Sequence, residues 1–455
     1  MSAPILPPKP PARAERVSLF QYMRLFRRDI LSAQPARLYR AKMAEFRTPF
    51  FRSYLVNEPG LWKLVLNERP DDFPKSNRVR AGLEPLLGNS VFVTNGETWK
   101  RQRRIIDPAF EGGRLRDTFP AMVAAGQAAV ARMAAGRVEV EAAMSHAAAD
   151  VIFRTLFSLP IEDETAAAVF AAFREHQTTQ PLLNLAAFLP LPRWFPRLHR
   201  RKTLRTARHI RALITAMTER RADEIAAGSA PNDLATKIMT TADPLTGERF
   251  ATAEMVDQVA IFFLAGHETS ASALAWTLYL VALDEELQDR LAEEARRELG
   301  TADTLPEFGA VSRLKRARDV FREALRLYPP VPMMVRQNVQ SECFRNRAVA
   351  PGAQIVISPW HLGRHERLWE RPDEFCPARW QSPEGKAAAR EGFIPFSSGP
   401  RVCTGAGFAM VEGVLLLAML LRAFRFRPVP GRVPEPVAHL TVRARHGIWL
   451  DVEAR

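Results

Sequence analysis

From Val17 onward, stretches in which apolar residues recur every three or four positions alternate with short polar or proline-rich breaks. That spacing lines one face of a helix, and it predicts helices over roughly 117–135, 140–158, 164–178 and 204–227. Pro181, Pro190, Pro192 and Pro196 separate the last two and predict an irregular connection. Ala253 to Leu283 has no proline and is apolar around most of its circumference, which predicts a long helix through the centre of the molecule. The chain reads as mainly helical up to about residue 330. Beyond Pro332 the period shortens to two in brief runs (Val335, Gln354–Ser358, Thr441–Leu450), set among proline and glycine loops. One more strong helix follows Cys403 and runs to about Phe424. Residues 1–16, with Pro7, Pro8, Pro10 and Pro11, predict a flexible leader. With no repeat and no Gly/Ser linker, residues 17–455 predict one large domain, mainly α with small β elements.

Composition narrows the class. The 455 residues are 47% hydrophobic and 25% charged, which excludes a disordered or fibrous chain. Three cysteines, Cys343, Cys376 and Cys403, cannot build a disulfide framework, and the N-terminus lacks a signal-peptide apolar region. The most apolar run, Gly413 to Leu421, has nine residues, well short of a membrane span, so a soluble cytoplasmic protein without a transmembrane anchor is expected. A net charge of +14 suits nucleic acid, an anionic membrane or an acidic protein, or simply a solvated surface. No zinc-finger spacing or RNA-binding aromatic signature supports the first, and no nucleic-acid partner is expected.

The most informative segment is Phe396-Ser397-Ser398-Gly399-Pro400-Arg401-Val402-Cys403-Thr404-Gly405. A cysteine ends a Gly/Ser/Pro loop immediately before a helix, where backbone N–H groups and the positive end of the dipole stabilise a thiolate. Gly399 and Gly405 allow close approach of a flat ligand, and Arg401 brings a cation. A nucleophilic enzyme would want a histidine base, and a zinc site would want further ligands nearby; an axial thiolate on haem iron needs one cysteine only. A buried inert thiol is the plain alternative.

This loop resembles the haem-binding loop of the cytochrome P-450 superfamily, Phe-x-x-Gly-x-Arg-x-Cys-x-Gly, at Phe396, Gly399, Arg401, Cys403 and Gly405. Ser397 stands where that family commonly has glycine. Ala265-Gly266-His267-Glu268-Thr269, on the long helix, is similar to the family's oxygen-activation motif. There Ala265 and Thr269 are i, i+4 neighbours, and a threonine hydroxyl can bond back to open the helix locally. Small residues at 265 and 266 would let a flat body lie against it. Glu323-Ala324-Leu325-Arg326, followed by Leu327-Tyr328-Pro329-Pro330-Val331-Pro332, is similar to the Glu-x-x-Arg helix and its exit. Arg371 to Trp380 resembles the meander, with Arg379 the third structural partner and Cys376 a bystander. Trp99-Lys100-Arg101-Gln102-Arg103 is similar to the Trp-x-x-x-Arg motif. The resemblance, which spans about residue 50 to the C-terminus, implies the P-450 fold, a triangular helical domain with haem between the long helix and the helix after the cysteine.

By that resemblance Cys403 is the axial ligand of haem b, and Trp99, Arg103, Arg401 and Arg336 hold the propionates. Phe396, Gly405 and Ala265 lie against the ring, and Glu268 and Thr269 relay protons. The implied activity is monooxygenation with O2, using NAD(P)H-derived electrons from a ferredoxin, a flavodoxin-like protein or a fused reductase domain. The chain itself carries no flavin, nicotinamide or iron–sulfur motif. An acidic donor would dock on the basic face near the cysteine loop of a monomer. Phe92, Phe262, Leu264, Ala265, Val331, Met333 and Met334 are expected to wall an apolar pocket. Leu189 to Trp194 looks more like the fatty-acid and alkane branches, with arylalkenes, terpenes and steroids open. A peroxide-driven enzyme and a haem-binding sensor are the competing readings; the intact Glu268–Thr269 pair favours oxygen activation over the former. Two decoys carry little weight: Gly405-x-Gly407 has no βαβ context, and His361 and His365 share metal-pair spacing in a poor helix.

Overall fold

The computed structural model of the chain describes residues 4–47, 52–179, 201–301, 305–438 and 440–455. Its longer helices are α1 (Leu19–Arg28), α2 (Asn77–Leu87), α3 (Gly96–Ile106), α4 (Gly112–Arg132), α5 (Val140–Phe157), α6 (Glu164–Thr179), α7 (Arg201–Ala226), α8 (Thr252–Ala282), α9 (Glu285–Leu299), α10 (Lys315–Leu327), α11 (Pro383–Gly392) and α12 (Ala406–Ala423). The 31 residues of α8 cross the core, at about 1.5 Å of rise per residue. They pack on α5, α7, α10 and α12, which explains why so few of their positions are polar. Capping sets the ends of its neighbours. The Glu139 carboxylate accepts the Glu141 and Ala142 N–H groups at the start of α5, and Asp284 accepts Leu287 N–H at the start of α9.

Four small sheets flank the helices. β1 (Met43–Arg47), β2 (Arg52–Val56), β7 (Gln354–Ile357) and β4 (Met334–Gln337) form one in that order, with β2 and β7 parallel. β3 (Gly136–Glu139), β11 (Trp449–Ala454) and β8 (Phe424–Pro428) form another. β9 (Pro436–Ala438) pairs with β10 (Val442–Ala444), and β5 (Glu342–Phe344) with β6 (Arg347–Val349). This is the fold of the resemblance.

One expectation is corrected and two are refined. The region before residue 330 is mainly helical, as expected, but it also holds β1, β2 and β3. β1 and β2 find their sheet only through β7, some three hundred residues away, so no local signal marked them. The leader is not loose: its extended backbone needs no internal hydrogen bonds and is strapped to the domain. Phe375 N–H donates to the Ile5 carbonyl at 3.0 Å, and the Tyr328 hydroxyl donates to that of Pro8 at 2.6 Å. Lys9 pairs with Asp373, and the Arg13 side chain donates to the Ala33 carbonyl at 2.7 Å. Finally, α12 has the length and composition to cross a membrane, although the apolar run inside it is short. Val414 to Leu421 are buried in the main core. The proline cluster between α6 and α7, and the Leu189–Trp194 stretch, lie outside the described residues.

Candidate active site

The cysteine loop ends in a one-turn helix (Gly399–Arg401) ahead of α12. Cys403 N–H donates to the Phe396 carbonyl at 2.9 Å, which closes the loop into a rigid bulge. Its thiol is accessible, yet the surrounding protein raises its pKa. Opposing that burial are a hydrogen bond from the Gly405 backbone and the charges of Arg103 and Lys75. Gly399 is needed for the protein's own packing: its φ is +68°, and a Cβ there would strike the Leu66 carbonyl. A Cβ at Gly405 would lie 4.0 Å from the Cys403 Sγ, an ordinary contact, so the sulfur does not require glycine there.

Beside this sulfur the fold gathers Lys75, Arg103, Arg336 and Arg401, close enough for their charges to act on one another, and those of Lys75 and Arg103 act on Cys403 as well. Arg401 lies over the Trp99 ring at 4.1 Å and donates to the Thr94 carbonyl at 3.1 Å and to Asn95 Oδ1 at 2.9 Å. Arg336 is buried on β4, and among the described residues its side chain donates only to the Val335 carbonyl, at 3.2 Å. Lys75 Nζ donates to the Phe92 carbonyl at 2.5 Å and lies 4.1 Å from the centre of that ring. Among the described residues Arg103 alone of the four makes an ion pair, with Asp107 at 2.8 Å, and it also donates to the Val402 carbonyl at 2.8 Å. Burial lowers Arg336 and Arg401 to about 10. Burial also pulls Lys75 well down, and the three neighbouring guanidiniums add to the effect. Buried cations without carboxylates are costly unless an anion joins them. The donor set therefore fits a dianion beside a sulfur ligand, as haem with its two propionates would supply.

On α8, Ala265 is exposed midway along a helix whose adjoining Leu264 and His267 are buried. Phe262 and Thr269 lie on the same helical stripe and are half-buried, while Thr269 Oγ1 donates to the Ala265 carbonyl at 2.5 Å. Leu264 points elsewhere, into the main core, and does not belong with the pocket set, since one residue turns a helix by about 100°. Gly266 is small for a different reason from the one expected: a Cβ there would strike Ile152 of α5. Glu268 and Thr269 also part company. Glu268 is buried and accepts from Arg443 of β10 at 2.9 Å, and burial raises its pKa against the pull of that arginine. Arg443 also donates to Gln177 Oε1 at 3.2 Å, and Gln177 reaches His267 at 3.3 Å. Phe92, Val331, Met333 and Met334 are half-buried; Met333 packs on the main core and Met334 on the sheet core.

Beneath the loop, Glu323 holds a fully buried hub. Arg326 donates to both its oxygens at 2.8 and 2.9 Å, Arg379 at 2.8 Å, the Trp380 indole at 3.1 Å and the Cys376 N–H at 3.0 Å. Burial alone would raise the carboxyl, but these donors outweigh it and hold its pKa low. Arg326 goes on to the carbonyls of Gly363, Pro372 and Glu374, tying α10 to the meander. Cys376 serves through its backbone, not its sulfur.

Sequence reasoning missed Lys75, a lone lysine after a proline, and Arg443, which sits in an unremarkable strand. It also missed Glu412 on α12, buried, pushed to about 8 by burial and accepting from Ser270 of α8 at 2.8 Å. His361 is buried against Tyr39 and bonded to Ser358 at 2.8 Å, and His365 faces the Ala41 carbonyl, so the two do not converge on a metal. No cluster of acidic, histidine or cysteine residues suited to a metal occurs among the described residues.

A helical domain that sets an accessible cysteine beside a cluster of cations, only one of them ion-paired among the described residues, is built as a haem-thiolate oxidoreductase. Residues 19–448 match the cytochrome P450 family, and the chain belongs to that family. Cyclooctatin synthase of Streptomyces melanosporofaciens is 31% identical over 403 residues, covering 86% of this chain and 84% of that protein. Cyclooctat-9-en-7-ol 5-monooxygenase of the same organism is 31% identical over 417 residues, covering 90% and 87%. Cytokinin hydroxylase of Arabidopsis thaliana is 28% identical over 403 residues, covering 87% and 77%. The chain is thus a monooxygenase that works with haem and O2 and draws electrons from a reductase partner.

Proposed function

We propose that the chain holds haem b through Cys403 and inserts one oxygen atom from O2 into an uncharged, hydrocarbon-rich substrate. The observation that carries this reading is the accessible Cys403 thiol beside Lys75 and Arg103, in a cluster with Arg336 and Arg401 in which only Arg103 is ion-paired among the described residues. Trp99, Lys75, Arg103, Arg336 and Arg401 would bind the propionates; Phe396, Gly405 and Ala265 would lie against the ring. When bound, the haem supplies the site at which O2 is activated.

The chain's own residues do the rest. The Gly405 N–H, with Arg103 and Lys75 near, works toward the thiolate against the burial that raises the thiol's pKa. Thr269 Oγ1, on the exposed stripe of α8, can turn its proton from the Ala265 carbonyl toward a ligand or water. Glu268, held by Arg443, keeps an acid one residue away. Phe262, Ala265, Val331 and Met333 give the pocket no charged group, which favours apolar substrates. An alkenol of the kind in the second relative's name fits this requirement, as do a fatty acid's chain, an alkane or an arylalkene. A separate acidic ferredoxin or flavodoxin-like protein, or a reductase domain fused in the natural protein, would reach the thiolate from the side of α3, whose Arg103 already bonds the loop. We place the protein in the cytoplasm as a monomer.

The test is the spectrum of the reduced, carbon-monoxide-bound protein. A strongly red-shifted Soret band is expected, and Cys403→Ala should abolish it; survival of that band in the variant would overturn the assignment. A panel of alkenols, fatty acids, alkanes and arylalkenes, read by spin-state shift, then identifies the substrate class.

A further inference from the structure

α1 is well formed yet packs little. Ser18 caps it: its Oγ accepts the Gln21 N–H at 3.2 Å, and Gln21 returns an acceptor to the Ser18 N–H at 3.2 Å. None of its ten residues is fully buried. Tyr22, Leu25 and Phe26 form the half-buried inner side, with the Tyr22 and Phe26 rings 5.8 Å apart. At about 100° per residue, Leu19, Phe20 and Met23 share the outer arc with Arg24 and Arg27, and Arg28 borders it. The three apolar side chains are 44, 78 and 36% exposed. Residues 17–28 contain no Asp or Glu, and Arg24 and Arg27 make no ion pair among the described residues. Asp29, which follows, is turned inward to the backbone of Leu31, Ser32 and Ala438.

We propose that α1 is a peripheral docking helix for an anionic lipid bilayer. Leu19, Phe20 and Met23 enter the acyl boundary, while Arg24, Arg27 and Arg28 reach back to lipid phosphates. Apolar and cationic side chains interleave along one arc with no carboxylate, as a fluid anionic interface requires. A protein partner would need a larger complementary patch than three apolar side chains provide. The net charge of +14 adds long-range attraction to the same surface. Asp29 Oδ1 accepts Ala438 N–H at 2.7 Å, and Ile30 N–H donates to the Ala438 carbonyl at 3.1 Å. These bonds fix the helix to β9, whose partner β10 carries Arg443 against α8. Docking would thus hold the lipid surface in a set orientation to the active-site helix, a route for a substrate dissolved in the bilayer. Only this last step rests on the proposed function.

Co-sedimentation of the full-length, haem-loaded protein tests it, with vesicles of phosphatidylglycerol mixed into phosphatidylcholine and of phosphatidylcholine alone. Binding to the anionic vesicles only is expected. Phe20→Glu should weaken it about tenfold or more, with the carbon-monoxide spectrum unchanged. Arg290→Glu, on α9, removes two units of charge against one for Phe20→Glu, and should still weaken it far less. No binding to anionic vesicles, equal binding by Phe20→Glu and wild type, or an equal loss in Arg290→Glu would overturn the proposal. So would a lipid-free dimer that Phe20→Glu abolishes, since α1 would then be a self-association surface.

Discussion

Arg443 donates to Glu268 at 2.9 Å and stands 3.8 Å from Glu141, so one guanidinium serves a buried and a half-buried carboxylate on different helices. Burial pushes Glu141 up to about 7, against Arg443 and a hydrogen bond from Ala444 N–H; Glu139 and Glu268 add to the rise. Below that pH Glu141 is neutral and Arg443 belongs to Glu268; above it, the two acids compete.

This fixes a pH dependence. The folded chain holds the Glu141 proton more tightly than the unfolded chain, whose carboxyl titrates near 4.5. The resulting stability is complete below about pH 4.5 and is lost as the pH rises through about 7, by up to about 3 kcal/mol. Glu141→Gln removes the titration. Its melting temperature relative to wild type should rise between about pH 5 and pH 8, and a constant difference would reject the assignment.

Thr269→Ala should leave the fold and the thiolate spectrum intact, because it removes one side-chain bond to the Ala265 carbonyl, worth about 1 kcal/mol. Product formed per O2 consumed should fall several-fold while peroxide rises, and Thr269→Ser should restore most of the coupling. Unchanged coupling in Thr269→Ala would remove this hydroxyl from the proton path.

Lys75→Met should act with opposite signs in two states. Without haem it relieves repulsion by Arg336, Arg401 and Arg103, so the empty protein should gain stability, by about 1 kcal/mol. With haem it removes a cation, and transfer of haem to a competing apoprotein should speed up several-fold. Slower transfer would show that Lys75 does not contact the anion.

Ser397 adopts a φ of +66°, and its buried Oγ has no hydrogen-bond partner. Ser397→Gly should therefore stabilise the chain by about 1 kcal/mol in chemical denaturation, since left-handed backbone costs a residue with a Cβ about that much. A loss of stability would mean that the hydroxyl is bonded after all.

Two of the predicted helices were legible almost to their ends, while Leu19–Arg28 and Asn77–Leu87 were not singled out. The apolar period over 204–227 appears as Arg201–Ala226, and that over 140–158 as Val140–Phe157. The β1–β2 hairpin was not legible, because its strands are stabilised by β7 and their residues carry no strong period of their own. In the candidate site, Cys403, Arg401, Trp99 and Arg103 stood in recognisable spacings, whereas Lys75 had none. Leu264 was misassigned to the pocket for a related reason: neighbours in sequence share a motif but not a helical face.

What the sequence determined by itself is what acts over a few residues: helix periods, caps, and the loop that presents one thiol ahead of α12. The tertiary structure alone decided which distant cations surround that thiol and where Glu268 turns. It also decided that a proline-rich leader is strapped down while α1 stays open to its surroundings. Charge and burial act through space, and Lys75, Arg336 and Arg401 become one electrostatic unit only when folding removes the water between them.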